Sequence, residues 1–228
     1  MKSIKENRIF NPQIVDQPKV IKKLVEESSP RRIFLVLIFI SSVMATLGLL
    51  NDSSAVVIGA MLVAPLLWPI LGLSMGTLVF DFRMIRMSLI SFFFSVAIAV
   101  VTAMVITLFY VPLGASREII QITNLGFMFP VALAAGAAAA FAISYEGVKE
   151  IVTGIAISVA LLPPLVTIGI GLGGTDWELM RVAMQLFLIN LVGILVISFI
   201  IFALLGFRKY RKLMDAEVKK EEKVLNDK

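Results

Sequence analysis

The chain has few residue types with which to do chemistry. Its 228 residues include neither cysteine nor histidine. Disulfides, thiolate or imidazole metal sites and Cys or His nucleophiles are therefore excluded, and so is a histidine pH switch. What remains inside the apolar stretches is neutral. Pro65 and Pro69 interrupt one such stretch, Pro163 and Pro164 another, each with glycines around them. A proline removes a backbone donor and clashes with the carbonyl one turn earlier. Polar backbone groups freed in this way at membrane depth survive only where they meet a cavity, an ion or a partner group. Ser74, Thr153, Ser158, Thr167, Gln185 and Asn190 are the hydroxyl and amide side chains that could join them around a small ligand. A simple kink, and interhelical hydrogen bonds worth about 0.6–2 kcal/mol for the amides, explain the same residues without a ligand.

Two further groups carry charge at the ends of apolar stretches. Asn51, Asp52, Ser53 and Ser54 open the stretch that holds Pro65, and Glu146 stands ahead of the one that holds Pro163. Any of the first four can cap a helix. A gate or an entrance for cations is the sharper reading. Asp81 with Arg86, and Asp176 with Arg181, open the next two stretches. An aspartate at a helix start suits the macrodipole, an arginine one turn on can snorkel to headgroups, and Phe82 or Trp177 suits the interface. These four charges read as anchors first and gates second.

The elements that must position these residues are membrane helices. Hydrophobic residues make up 59% of the chain and charged ones 16%, which is too apolar for a soluble domain of this size. Six segments are long enough to cross a bilayer, over 33–50, 55–79, 84–110, 119–143, 151–172 and 182–207. The spans as drawn hold no Asp, Glu, Lys or Arg beyond residues at their ends. A proton relay through side chains or a voltage sensor usually needs such groups. The net charge of +5 sits mostly before the first span, after the last, and at Arg83, Arg86 and Lys149; Arg117 and Arg181 fall on the other side. This positive-inside pattern places both termini in the cytoplasm and the chain in the cell membrane. It explains the basic excess by topology and attraction to anionic lipid, so no nucleic-acid partner is implied.

The sequence also repeats itself. Asp81-Phe82-Arg83-Met84-Ile85-Arg86 returns 95 positions later as Asp176-Trp177-Glu178-Leu179-Met180-Arg181. At the same offset Gly59 meets Gly154, Leu66 and Leu67 meet Leu161 and Leu162, Pro69 meets Pro164, and Gly76 meets Gly171. Each copy holds three spans, an odd number, so the second must enter the membrane in the opposite sense to the first. The expected fold is an all-α integral membrane protein of six transmembrane helices in two inverted three-helix repeats, with the second and fifth helices broken by Pro and Gly. Residues 1–30 form a cytoplasmic segment, 31–112 the first repeat, 113–207 the second, and 208–228 a charged cytoplasmic tail.

Within the first segment Pro18 suits a helix start, and Val20, Ile21, Leu24 and Val25 share one face of a surface helix. Its counterpart near 116–122 is either a second surface helix or the start of one long helix over 119–143; Asn124, Gly126 and Pro130 favour the former. Ala132, Gly136 and Ala140 share a small-sided face, which places the fourth span in the bundle or in a subunit contact. The tail reads as a fraying extension of the sixth span with a solvated charged face.

The run Asn51-Asp52-Ser53-Ser54-Ala55-Val56-Val57-Ile58-Gly59-Ala60-Met61-Leu62-Val63-Ala64-Pro65-Leu66 resembles the hallmark of an uncharacterised hydrophobic domain family, domain of unknown function 389. Gly154 to Pro164, ending Ala160-Leu161-Leu162-Pro163-Pro164, is similar to its second signature. The resemblance covers about 31–207 and implies a polytopic membrane protein, without substrate or catalytic residues. Many members carry a soluble domain ahead of the membrane region, where this chain has about thirty residues.

These features point to a membrane transporter or channel for a small solute or ion, with a central site between the second and fifth spans. An anion suits helix N-termini best. The alternative is a non-transporting oligomeric scaffold or sensor. Enzyme chemistry would need a hydrophilic nucleophile–base pair that no span supplies. The expected partners are the lipid bilayer, the small solute or ion, and further copies of the chain; no cofactor is implied.

Overall fold

The computed structural model of the chain describes residues 15–110, 125–145 and 152–226, with side chains over 15–110, 128–145 and 161–225. Among these residues every regular element is helical. In order they are α1 (Gln17–Glu27), α2 (Arg32–Leu50), α3 (Ser54–Val63), α4 (Leu67–Val79), α5 (Phe82–Tyr110), α6 (Leu125–Ser144), α7 (Val152–Gly173), α8 (Trp177–Leu204), a 3-10 turn (Phe207–Tyr210) and α9 (Arg211–Asn226).

Helices α2, α5 and α8 are long and apolar enough to cross a membrane, and the bent pair α3–α4 adds a fourth such unit. Helices α6 and α7 have 20 and 22 residues, and their described side chains form the apolar runs Met128–Ser144 and Leu161–Gly173. These are the helices of a membrane protein. Whether 119–124 belongs with α6 or with a surface helix lies outside the described residues.

The two proline-bearing segments differ. In the first, α3 stops at Val63, Ala64 turns to φ −73°, ψ 117°, and α4 leaves at 46°. A proline pushes the residue before it out of the helical region, and Pro65 does this to Ala64. Pro69 falls in the first turn of α4, where no N–H is needed. In the second, α7 runs without interruption through Pro163 and Pro164. The expected break in the fifth helix is thus corrected. At the offset of 95 the counterpart of Pro65 is Ala160, so the residue that breaks the first segment is missing from the second. Membrane helices tolerate interior prolines where neighbours surround them. Helix α7 has four such neighbours, α2, α5, α6 and α8, besides α3.

The joints that follow these segments are the same. Helix α4 ends with Phe80 in the left-handed region at φ 56°, and α7 is followed by Thr175 at φ 57°. The Asp81 N–H reaches back to the Gly76 carbonyl at 2.9 Å and the Asp176 N–H to Gly171 at 2.8 Å. The Phe80 N–H bonds to Thr77 at 3.3 Å and the Thr175 N–H to Leu172 at 3.4 Å. This is the two-bond helix stop in which a left-handed residue satisfies the last free carbonyls. Each aspartate then caps the next helix: Asp81 Oδ1 accepts from the Met84 N–H at 2.9 Å, and Asp176 Oδ1 from the Leu179 N–H at 2.9 Å. The glycines one turn earlier permit the sharp return. A Cβ at Gly76 would stand 3.2 Å from the Ile85 nitrogen, and one at Gly171 2.9 Å from the Met180 nitrogen, again 95 apart.

Packing between the copies is crossed. Helix α4 packs on α8, and α7 packs on α5. The Ser74 hydroxyl on α4 donates to the Leu195 carbonyl on α8 at 3.1 Å. The equivalent residues are Gly169 on α7 and Val100 on α5, and there a Cβ on the glycine would run into the Val100 carbonyl oxygen. Phe92 on α5 stacks on Phe187 on α8, centroids 6.2 Å apart and planes 14° apart. These two rings are also separated by 95 in sequence, so each touches its own counterpart.

The termini close one end. Helix α1 forms as its pattern predicts, with Asp16 accepting from the Lys19 N–H and Pro18 in its first turn. Its apolar residues Val20, Ile21, Leu24 and Val25 are buried against α4, α9 and the 3-10 turn. They cover protein rather than a free membrane surface. The tail is likewise corrected. Helix α8 ends at Leu204, Gly206 takes φ 79°, and α9 folds back onto α1 with Met214 and Val218 fully buried.

Candidate functional site

The residues expected to gather around a central site are spread over α3, α4, α7, α8 and the turns at the start and middle of the second span. The second and fifth spans meet through α3 and α7, while α4 lies against α5 and α8. Ser74 and Thr167 are both buried. Ser74 bridges α4 to α8 as described, and also bonds to the Ile70 carbonyl at 3.2 Å. Thr167 Oγ1 donates to the Pro163 carbonyl at 2.8 Å, one turn back on its own helix. The Pro163 and Pro164 rings supply no donors to the carbonyls of Val159 and Ala160, which is where backbone acceptors become free. Asn190 is buried on α8. Thr153 and Ser158 lie on α7, but their side chains are outside the described residues, as is all of Glu146.

Gln185 is exposed on the outer face of α8, beside Met184 and Leu188 and one turn from the exposed Arg181. It does not face the centre, and it leaves the candidate set for that reason. Its sequence signal was polarity alone, which says nothing about the face on which a residue lies.

The described inner residues of α4 and α7 are tightly packed. Ile70, Leu71 and Met75 on α4 and Leu161, Leu162 and Val166 on α7 have no accessible surface. A side chain with none borders no void that could hold a water.

The four residues at the start of the second span serve the preceding helix more than the following one. Asn51 Nδ2 donates to the Leu47 carbonyl at 2.7 Å, closing the end of α2. Asp52 takes φ 50°, and the Ser53 N–H returns to the Gly48 carbonyl at 2.8 Å. Ser53 stands at the N-cap of α3 without a side-chain cap bond, and Ser54 is its first residue. Asp81 and Asp176, read from the sequence as anchors at helix starts, are helix caps. Arg86 and Arg181 point outward and are exposed.

The small-residue face of α6 packs as expected. A Cβ on Gly136 would lie 2.7 Å from the Ile194 Cα, and Ala132 Cβ stands 2.7 Å from where one would be on Gly193. Close approach of this kind drives helix association in lipid, where no hydrophobic force does so. This face is buried within the chain against α8.

The strongest polar cluster was not foreseen. Glu221 on α9 is buried and takes Arg31 Nε and Nη2 at 2.6 Å each, with Ser29 Oγ at 2.8 Å. The bidentate carboxylate raises the Arg31 pKa above its already high value. Arg83 reaches Glu222 at 3.4 Å and Asp215 at 4.0 Å on the same helix. The available signal was Met214 and Val218, one helical turn apart in a charged run, which is a narrow apolar stripe.

An uncharacterized protein of Methanocaldococcus jannaschii is 29% identical over 188 residues, which are 82% of this chain and 58% of that relative. The chain thus spans little more than half the length of the curated relative it matches. No solved structure matches it. The profile of the domain of unknown function DUF389 matches residues 61–196, from the end of α3 through the Phe187 stack, and the chain belongs to that family.

Proposed function

We propose that the chain is a cell-membrane transporter for a small solute or ion, built as two inverted repeats with both termini in the cytoplasm. The observation that carries this reading is the Phe92–Phe187 stack. In a two-fold arrangement only residues at the axis touch their own equivalents. An axis there relates copies of three spans each, and an odd number of spans requires it to lie in the membrane plane. That is the architecture of many secondary transporters, in which one unit rocks against the other around a fixed site.

The two copies hold different conformations of one segment, bent in α3–α4 and continuous in α7. Exchange of those conformations would turn the molecule inside out and expose the centre to the other side. The packed residues of α4 and α7 then belong to a closed state. The site consists of the backbone around Ala64–Leu66, the carbonyls freed by Pro163 and Pro164, and the Thr167 hydroxyl.

This packing also suits a scaffold or sensor that carries nothing and assembles with further copies. Reconstitution decides between the two. Proteoliposomes holding the full chain are offered anions, cations and neutral solutes. The transporter reading expects saturable flux of one class, lost in Pro65→Ala while helical content is kept. No flux for any class, from protein whose α-helical spectrum is intact, favours the scaffold.

A further inference from the structure

We propose that α1 is a clamp on the bend of the second span and that α9 holds this clamp shut. The proposal rests on reading the bent segment as the part that moves, and it concerns what controls that movement.

The contacts converge on Trp68, the second residue of α4 and four positions past the displaced backbone at Ala64. The Ser28 hydroxyl donates to the Trp68 carbonyl at 2.7 Å. The Lys23 ammonium stands 5.2 Å from the centre of the Trp68 ring, a cation–π distance. The Ser28 carbonyl in turn accepts from the Ser91 hydroxyl on α5 at 2.6 Å. Gly72, one turn further along α4, allows this approach, since a Cβ there would come within 2.6 Å of Ser28 Oγ. Ser28 therefore pins the first turn of α4 to α5.

The pinned position carries a cost. Beside Gly72 the Ser88 hydroxyl is buried and, among the described residues, has no hydrogen-bond partner. A buried hydroxyl without a partner has lost its water and gained nothing in return. The Ser28 bonds to Trp68 and Ser91 oppose a shift of α4 along α5.

The terminal helices supply the restraint. Arg31 and Ser29, next in sequence to Ser28, are held by the buried Glu221 of α9. At the other end of α1, Gln17 donates to the Leu205 carbonyl at 3.3 Å and accepts from the Tyr210 hydroxyl at 3.0 Å. Between α1 and α9 a cleft of about 250 Å³ remains, flanked by Lys22, Glu26, Glu217 and Lys220 above the Arg31–Glu221 pair. The join thus combines the buried apolar residues Met214 and Val218 with charged groups around an open cleft. The charged part can be altered without removing that packing.

The test needs neither flux nor a known orientation. The chain has no cysteine of its own, so Ile58→Cys and Thr77→Cys place two nitroxide labels on exposed positions of α3 and α4. Their separation reports the bend. In lipid bilayers the otherwise unchanged chain should give one narrow distance distribution. Glu221→Arg, which sets two guanidinium groups against each other, should add a second population, and Arg31→Glu in the same chain should remove it. Ser28→Ala should add the same population with the α1–α9 join intact, and keeps the test open if Glu221→Arg does not fold. Distributions for Glu221→Arg and Ser28→Ala that superimpose on the parent overturn the clamp. Absence of flux would overturn transport and leave these distances unaffected.

Discussion

The joints at Asp81 and Asp176 share the same helix stop and the same cap, while the proline segments that lead into them differ. In both joints a left-handed residue stops one helix and an aspartate starts the next, with equivalent hydrogen bonds differing by about 0.1 Å. One segment ahead of them is bent by 46° and the other runs as a single helix. The main difference thus lies ahead of the joints. At its break the first copy has Pro65 where the second has Ala160. A rigid joint and a variable segment, each present twice, are what a molecule needs if its halves are to exchange shapes.

The comparison can be broken most sharply at that pair. Ala160→Pro should interrupt α7 as Pro65 interrupts the first segment, at a cost of about 3 kcal/mol or more in unfolding free energy. Pro65→Ala should let Ala64 return to the helix and straighten α3–α4. Label pairs at 58 and 77, and at the equivalent 153 and 172, measure both effects. An unbroken segment in Ala160→Pro would mean that packing rather than the proline sets the bend.

The crossed contacts come next. Gly169→Ala forces a methyl against the Val100 carbonyl and should cost about 1–3 kcal/mol, since backbone cannot move aside cheaply. Its counterpart Ser74→Ala loses one hydrogen bond between helices, worth about 1 kcal/mol. Denaturant titration in mixed micelles compares them, and equal losses would contradict the tighter approach of α7 to α5.

The joints should respond in the same direction. Asp81→Ala and Asp176→Ala each remove a helix cap worth about 1 kcal/mol, with the larger melting shift at Asp81, which is buried and also accepts from the Arg83 N–H. The smallest effect belongs to Arg83→Ala. Its ion pairs to α9 are half exposed and worth under about 1 kcal/mol, and the equivalent Glu178 faces no such helix.

Much of this was legible because membrane helices write their ends plainly. Asp81 and Asp176 stand at helix starts, as the sequence places them, and there they act as caps. The face of Ala132, Gly136 and Ala140 needed a close partner and has one in α8. The continuity of α7 was not legible, because Pro163 and Pro164 can kink a membrane helix or be enclosed by its neighbours, and only packing chooses. Gln185 was misplaced because an amide near a helix start can turn outward beside charged groups. The clasp of Arg31, Ser29 and Glu221 joins residues about 190 positions apart, and no local pattern reports such a pairing.

The proposed inverted repeat requires the two joints, alike in structure, to face opposite sides of the membrane. Phe82 and Trp177 are equivalent and exposed, so each can be replaced by cysteine in a chain that has none. A membrane-impermeant thiol reagent applied to one side of oriented vesicles should label one of them and not the other, with the pattern reversed from the opposite side. Labelling of Phe82→Cys and Trp177→Cys from the same side would contradict the inverted repeat and, with it, the exchange of shapes proposed for transport.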